Sequence, residues 1–436
     1  MSETHAFSQA FVRGEMLPPA EAPVTERGAV KWLRENLFSS PLNALLTIVS
    51  IFVIWSVLAH ILPWMVNGIW DASSLTECRA IRDERGLDSA ACWAVIADRW
   101  HQLMFGFYPQ DLYWRPILAF VLLGVAVAPV LYGSLSRKML WFSLAYPFLA
   151  VWLLWGGSVW GPLSVAMGFC AGWLALRLLS TVAGTLAAVI AALLAPVLWW
   201  LFAAAPVAEY LTSVLPVGLT EVASRDFGGF MLALVIGTSA IVLSLPLGIL
   251  LALGRQSNLF IINKVSVTFI EVIRGVPLIV WLFTASLLLN YFMPPGTNFD
   301  LIVRVIIMVT LFASAYIAEV VRGGLAALPK GQYEAADSLG LDYWKAMRLI
   351  ILPQALKISI PGIVNTFIGL FKDTTLVVFI GLADPIGFSN LIRADTAWNG
   401  IYWELFIFIG LLFFVFCFFM SRYSLYLERK LQTDHR

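Results

Sequence analysis

The sequence is short of charge. Asp, Glu, Lys and Arg make up only 13% of its 436 residues, against 60% apolar, where soluble domains run near a quarter charged and half apolar. That shortage excludes an ordinary soluble domain, and a net charge of +1 leaves no basic footprint for nucleic acid. Cysteine is scarce too, at four residues. No Cys-x-x-Cys, His-Glu-x-x-His or Gly-Lys-Ser/Thr string occurs, so neither a metal centre, a nucleotide pocket nor any other cofactor site is expected. Cys170 and Cys417 lie inside apolar runs and read as inert small hydrophobes. Cys78 and Cys92 share a polar loop, and would pair as a disulfide if that loop faces an oxidising compartment.

What the chain has instead is a series of apolar runs, each near the roughly 20 residues that cross a bilayer as a helix. They fall near 42–64, 113–134, 139–156, 162–180, 182–204, 227–253, 262–292, 301–325, 360–382 and 401–421. The fold class expected is therefore an all-α membrane protein, a polytopic helical bundle with lipid around it. The 18 Trp suit interfacial belts. Residues 1–41 read as a polar tail carrying Pro18, Pro19 and Pro23, and no cleavable signal is expected ahead of the first span.

Basic residues set the sidedness, because short loops rich in Lys and Arg stay in the cytoplasm. Arg27, Lys31 and Arg34 are followed by Arg137 and Lys138, Arg255 and Lys264, Lys330 through Lys357, and Arg422 through Lys430, so that every second loop is basic. Both termini are expected inside. The charge-balanced loop 65–112 is expected in the periplasm. The first five spans are almost free of intramembrane charge and read as scaffold. The next five carry Glu271, Arg274, Glu319, Arg322, Lys372 and Asp373 in or beside apolar runs. Charge in hydrocarbon costs a few kcal/mol at the least, so function is expected in this half.

Between the spans at 301–325 and 360–382 the chain reads Leu328-Pro329-Lys330-Gly331-Gln332-Tyr333-Glu334-Ala335-Ala336-Asp337-Ser338-Leu339-Gly340-Leu341-Asp342. Glu334 to Leu339 favour helix, Gly340 interrupts, and Asp342 can cap a second helix running through Leu352. A helix, a turn and another helix suit docking into a partner's groove, with Ala335 and Ala336 leaving a flat surface.

Glu334-Ala335-Ala336, Gly340, Ile350 and Leu352-Pro353 stand at the spacing of the EAA loop of ABC importer permeases, which this segment resembles. Ala315-Tyr316-Ile317-Ala318-Glu319, Arg322-Gly323-Gly324, Leu352-Pro353-Gln354-Ala355 and Lys372-Asp373-Thr374 are similar to the polar amino acid branch, the histidine and glutamine permeases among it. The resemblance covers about residues 227–425. In length and hydropathy the whole chain is similar in plan to one subunit of the general L-amino acid permeases of alphaproteobacteria. The branch pattern is broken at Val276 and Trp281, where threonine and glutamine are usual, and at Thr375, where serine is.

The resemblance implies a non-catalytic permease subunit of an inner-membrane importer for L-amino acids. Its domains would be a tail to residue 41, an extension over 42–220, a five-helix type I importer domain over 221–425 with the coupling loop at 328–357, and a tail over 426–436. Implied partners are cytoplasmic ABC ATPase subunits gripping Glu334, Ala335, Ala336, Gly340, Leu352 and Pro353, a second permease subunit that is a different chain, and a periplasmic amino-acid-binding protein. Two other readings stay open: an ion-coupled secondary transporter working through Glu319 or Asp373, and a structural or sensory membrane subunit.

A substrate has to be held near the midplane. At about 1.5 Å per helical residue, Arg274 stands roughly 15 Å from Lys264, Glu319 about as far from Pro329, and Lys372 and Asp373 roughly 17 Å from Pro361. These depths coincide. Arg274, Glu319, Lys372, Asp373 and Thr374 are therefore candidate contacts for a zwitterion. The alternative for the charges is mutual neutralisation, since Glu271 with Arg274 and Glu319 with Arg322 are spaced to pair along a helix.

Overall fold

The computed structural model describes residues 28–182, 184–288, 291 and 300–432. The expected prolines at 18, 19 and 23, Arg27 and the end of the 262–292 span lie outside these residues. Helices dominate: α1 (Gly28–Asn36), α2 (Pro41–Val66), α3 (Leu75–Glu84), α4 (Ala94–Phe105), α5 (Trp114–Leu131), α6 (Leu140–Trp155), α7 (Trp160–Val182), α8 (Gly184–Leu198) and α9 (Ala204–Val214). They are followed by α10 (Gly229–Gln256), α11 (Phe260–Gly275), α12 (Leu278–Phe283), α13 (Leu301–Ala326), α14 (Lys330–Ser338), α15 (Tyr343–Ala346), α16 (Leu352–Asp373), α17 (Pro385–Ala394) and α18 (Trp403–Gln432). Among the described residues nine helices are long and apolar enough to cross a membrane, and up to ten if α11 and the helix from Leu278 to Leu288 count as one span. Those two meet at 101°. Pro277 cannot continue the ladder of α11 and Val276 before it is held extended, which accounts for the break.

The contacts divide the chain into two compact units, one of residues up to Ile69 with Arg79–Cys92, the other of Trp70–Cys78 with Trp93 to the C-terminus. In the first unit, Ser40 caps α2 by accepting from the Asn43 N–H, and Ile69 donates to the Ala91 carbonyl. Cys78 and Cys92 are both disulfide-bonded, and Cys170 and Cys417 are free thiols.

In the second unit one core runs from the extension into the C-terminal helices: Phe105, Tyr108, Leu153 and Val222 bury against Leu232, Ile236, Leu282, Ile302 and Val305. Two short strands, Gly157–Ser158 and Gly218–Leu219, pair antiparallel and tie the start of α7 to the segment after α9. The helical reading gave no sign of them. The expected span 182–204 is longer, Gly184–Val214, and carries a π-helical turn at Trp199–Ala203 three residues after Pro196. The expected separation of the coupling loop from the following span also needs correction. α15 continues through a π-helical turn at Met347–Ile351 straight into α16, so that Tyr343–Ile380 counts as one 38-residue element. Met347 and Ile351 bury in the same core as Leu325 and Leu328, which holds the two arms together.

Candidate functional site

α13 carries the polar centre of the C-terminal half. Glu319, 17% exposed, accepts from Arg255 at 2.7 Å and from Arg322 at 3.0 Å, and Arg274 stands 3.7 Å away. Arg255 also pairs with Glu271 at 2.8 Å. Three helices are thereby joined, the end of α10, the last turn of α11 and the last third of α13. The i,i+3 expectation holds for Glu319 with Arg322. It does not hold for Glu271, whose partner is Arg255 on another helix.

Arg274 is the loosely held member. Its guanidinium lies 5.5 Å from the centre of the Tyr316 ring, and its Nε is buried without a hydrogen-bond partner. A cation over an aromatic face keeps some stabilisation without a fixed partner. Trp281, where the branch usually has glutamine, donates from its indole to the Ile273 carbonyl at 3.2 Å. That carbonyl lies in the turn where the break leaves backbone acceptors without helical donors, so the indole repairs part of the interruption.

Lys372 and Asp373 do not join this centre, and among the described residues no ion pair links them to it. Ser359 donates to the Val320 carbonyl, and Gly362 faces the Val320 side chain, so Glu319 is level with that stretch of α16. From Gly362 to Lys372 the helix climbs roughly 15 Å. Counting depth from Pro361 fails because α16 and the turns before it run unbroken from Tyr343. Thr374 is buried, and its hydroxyl donates to the Phe371 carbonyl at 2.7 Å. Thr375 closes the Lys372 carbonyl likewise at 2.8 Å. Both hydroxyls are spent on ending the helix.

The elbow is built by local rules. Asp342 caps α15, accepting from the Lys345 N–H at 3.0 Å, and its carboxyl is held below the usual range by that bond. Gly340 adopts φ +66°, the left-handed region a side chain disfavours. Gln354 donates to Gln332 at 2.9 Å, bracing α16 against α14. α13 meets α16 closely at Gly324, where a Cβ would come within 2.1 Å of the Ser359 hydroxyl. Glu334 and Ala335 are exposed on α14, whereas Ala336 is 1% exposed and turns inward, so the flat face rests on Ala335 alone. Of the last motif residues, Leu352 is half-buried and Pro353 exposed.

Sequence reasoning missed Arg255, which reads as a loop charge because its partners lie 16 and 64 positions away. It also missed the Tyr316 platform and α17. The last had a signal in Asp384-Pro385, a capping residue followed by proline at the first helical position.

Among the described residues no group of three or more His, Cys, Asp or Glu side chains could hold a metal ion. Residues 244–433 match the family model of the binding-protein-dependent transport system inner membrane component. The chain is 62% identical, over 98% of its length and 99% of the relative's, to the glutamate/glutamine/aspartate/asparagine transport system permease protein BztC of Rhodobacter capsulatus. It is 40% identical, over 95% of its length and 96% of the relative's, to the inner membrane amino-acid ABC transporter permease protein YhdY of Escherichia coli. A solved amino acid ABC transporter with histidines aligns at 34% identity with a TM-score of 0.41, over 45% of this chain and 90% of that one.

Proposed function

Because this chain belongs to the family of amino-acid ABC transporter permeases, we propose that it forms half of a translocation pathway and hydrolyses no ATP itself. A second, different permease chain completes the pathway, a periplasmic protein delivers the amino acid, and cytoplasmic ATPases hold the elbow at residues 330–340. Both termini face the cytoplasm, as do the elbow and the ends of α10 and α13 next to it. The domain division at about residue 220 separates a scaffold from the moving permease domain.

The observation that carries this reading is the elbow itself: an exposed Glu334 on α14, a left-handed Gly340 and a second arm continuous with a membrane helix. A push on α14 crosses the short turn at Gly340, and from α15 it passes into α16 without an intervening loop to absorb it. ATP binding closes the ATPases, draws the two elbows together and tilts the helices outward-facing; hydrolysis resets them. Glu334, Ala335 and Gly340 make the grip, Ala336 seats the helix, and Leu352 and Pro353 begin the transmitting arm.

Arg274 and Glu319 form the cytoplasmic level of the substrate path, with Arg274 free to leave Glu319 for a substrate carboxylate. Lys372 and Asp373 form an outer level, and Thr374 holds the turn that presents them. Glutamate, glutamine, aspartate and asparagine, the amino acids for which the first relative is named, are the cargoes to assay first.

Proteoliposomes holding the complete complex test this. Uptake should survive a protonophore and stop when ATP is withheld. Uptake that follows the ion gradient instead would favour a secondary transporter through Glu319 or Asp373, and no uptake at all would favour a structural or sensory subunit.

A further inference from the structure

Beside the elbow, and apart from the charged centre, lies an open cavity of about 410 Å³. Leu253 lines one side, Met347, Leu352, Pro353 and Leu356 the other, and Trp344 and Arg348 complete it. Its size falls within the roughly 300–1,000 Å³ of ligand sites. Apart from one guanidinium, its walls are aliphatic carbon, the Met347 thioether and an indole.

Its height is fixed by the helices. Leu253 is three residues from the end of α10, and the two residues that end that helix, Arg255 and Gln256, are polar. The cavity therefore opens where hydrocarbon gives way to headgroups. Trp344 is 68% exposed and Leu349 65% exposed on the same arm, an arrangement costly in water and ordinary at a membrane interface. Trp344, Arg348, Leu352 and Leu356 recur every four residues, so a single stripe passes from indole to cation to aliphatic wall. The π-helical turn Met347–Ile351 lies within that stripe, and such turns recur at functional sites.

We propose that this cavity binds an anionic phospholipid, with part of one acyl chain between Leu253 and Leu356 and the phosphate on Arg348. Charge selects the occupant. Arg348 is exposed and has no salt-bridge partner among the described residues, whereas its neighbour Lys345 is already paired with Asp342 at 3.0 Å. A cation beside an apolar slot at headgroup level matches a phosphate carried on an acyl chain. A soluble anion would leave the slot empty. A protein surface would have to reach hydrocarbon depth at Leu253, beyond the exposed face of α14 that the ATPase is proposed to grip. The inference rests on the chain lying in a membrane and not on which protein holds the elbow.

The test uses the full complex in detergent, titrated with phosphatidylglycerol or phosphatidylcholine and read by native mass spectrometry for retained lipid. Phosphatidylglycerol should be retained in preference, and Arg348→Gln should weaken its retention about fivefold, the effect of one basic group at a membrane surface. Arg348→Lys should restore most of it. Leu356→Trp, which fills the slot and leaves the charge, should weaken both lipids together. Unchanged phosphatidylglycerol retention in Arg348→Gln and Leu356→Trp overturns the proposal, as does equal retention of the two lipids by the unaltered complex. A photo-reactive side chain in place of Trp344 should capture lipid, and capture of the ATPase or the second permease there would also overturn it.

Discussion

The extension and the C-terminal half of the larger unit share a core but are fastened by different chemistry. In the extension, neutral groups reach across helices to backbone carbonyls: Ser143 to Ala126 at 2.6 Å, Tyr146 to Ala119 at 2.8 Å, Ser164 to Ala204 at 2.6 Å and Trp199 to Ser164 at 2.8 Å. In the C-terminal half, α10, α11 and α13 are fastened by Arg255, Glu271, Glu319 and Arg322. A hydroxyl on a carbonyl in apolar surroundings has little else to move to; for Ser143 the alternative is the Met139 carbonyl of its own helix at 3.4 Å. A carboxylate shared among three arginines does, since one can leave while the others still neutralise it. The contrast teaches which region is a fixed frame and which can exist in two arrangements.

The largest effect should come from the elbow. Gly340→Val forces a β-branched side chain into a left-handed conformation at a cost of about 1–3 kcal/mol. It should lower ATP-driven uptake by about tenfold or more in proteoliposomes, with the complex still assembled on a sizing column. Next comes Glu319→Gln, which leaves Arg255 and Arg322 without their shared counter-charge. Because the Glu319 side chain is 17% exposed, the expected loss is about 2 kcal/mol, below the 3–5 of a fully buried pair. Thermal unfolding in detergent would read it, and an unshifted midpoint would erase the contrast between the halves.

Asp384 gives a smaller, pH-dependent effect outside the spans. Burial pushes its carboxyl up to about 6 from 3.8, partly opposed by the Gly387 N–H it accepts from. The folded chain holds this proton more tightly than the unfolded chain, so folding loses stability as pH rises between those values and the penalty is complete above about 6. Asp384→Asn should therefore raise stability by on the order of 1 kcal/mol at neutral pH and leave it unchanged near pH 3, below both values. Melting curves at both pH values would show it. Smallest is Tyr146→Phe in the extension, which removes one neutral bond worth about 0.6 kcal/mol in a membrane protein. Its uptake should match that of the unaltered chain.

Much of this was legible in the sequence, because membrane helices and capped turns are written in contiguous residues. The spans followed from apolar runs, the elbow from Gly340 and Asp342. The charged centre was half legible: Arg274 and Glu319 were expected together, and stand 3.7 Å apart. Arg255 was not legible, because a helix end and a loop look alike when the partner is on another helix. Lys372 and Asp373 were misplaced for a related reason. Depth counted along a chain depends on where the helix starts, and the start of α16 is hidden by apolar residues from Met347 onward that let the coupling arm and the span fuse. Ala336 shows the finest limit, since which of two adjacent alanines faces outward is set by one helical step.

The claim on which the rest depends is that α14 meets an ATPase and passes its motion into α16. Cysteine substituted at Glu334 and labelled with a thiol-reactive photo-cross-linker, in the complete complex within membrane vesicles of known orientation, tests it directly. The account predicts a cross-link to the ATPase subunit whose yield changes when ATP is bound. A cysteine there that reacts from the periplasmic side, or that links to no other chain with or without ATP, would contradict it.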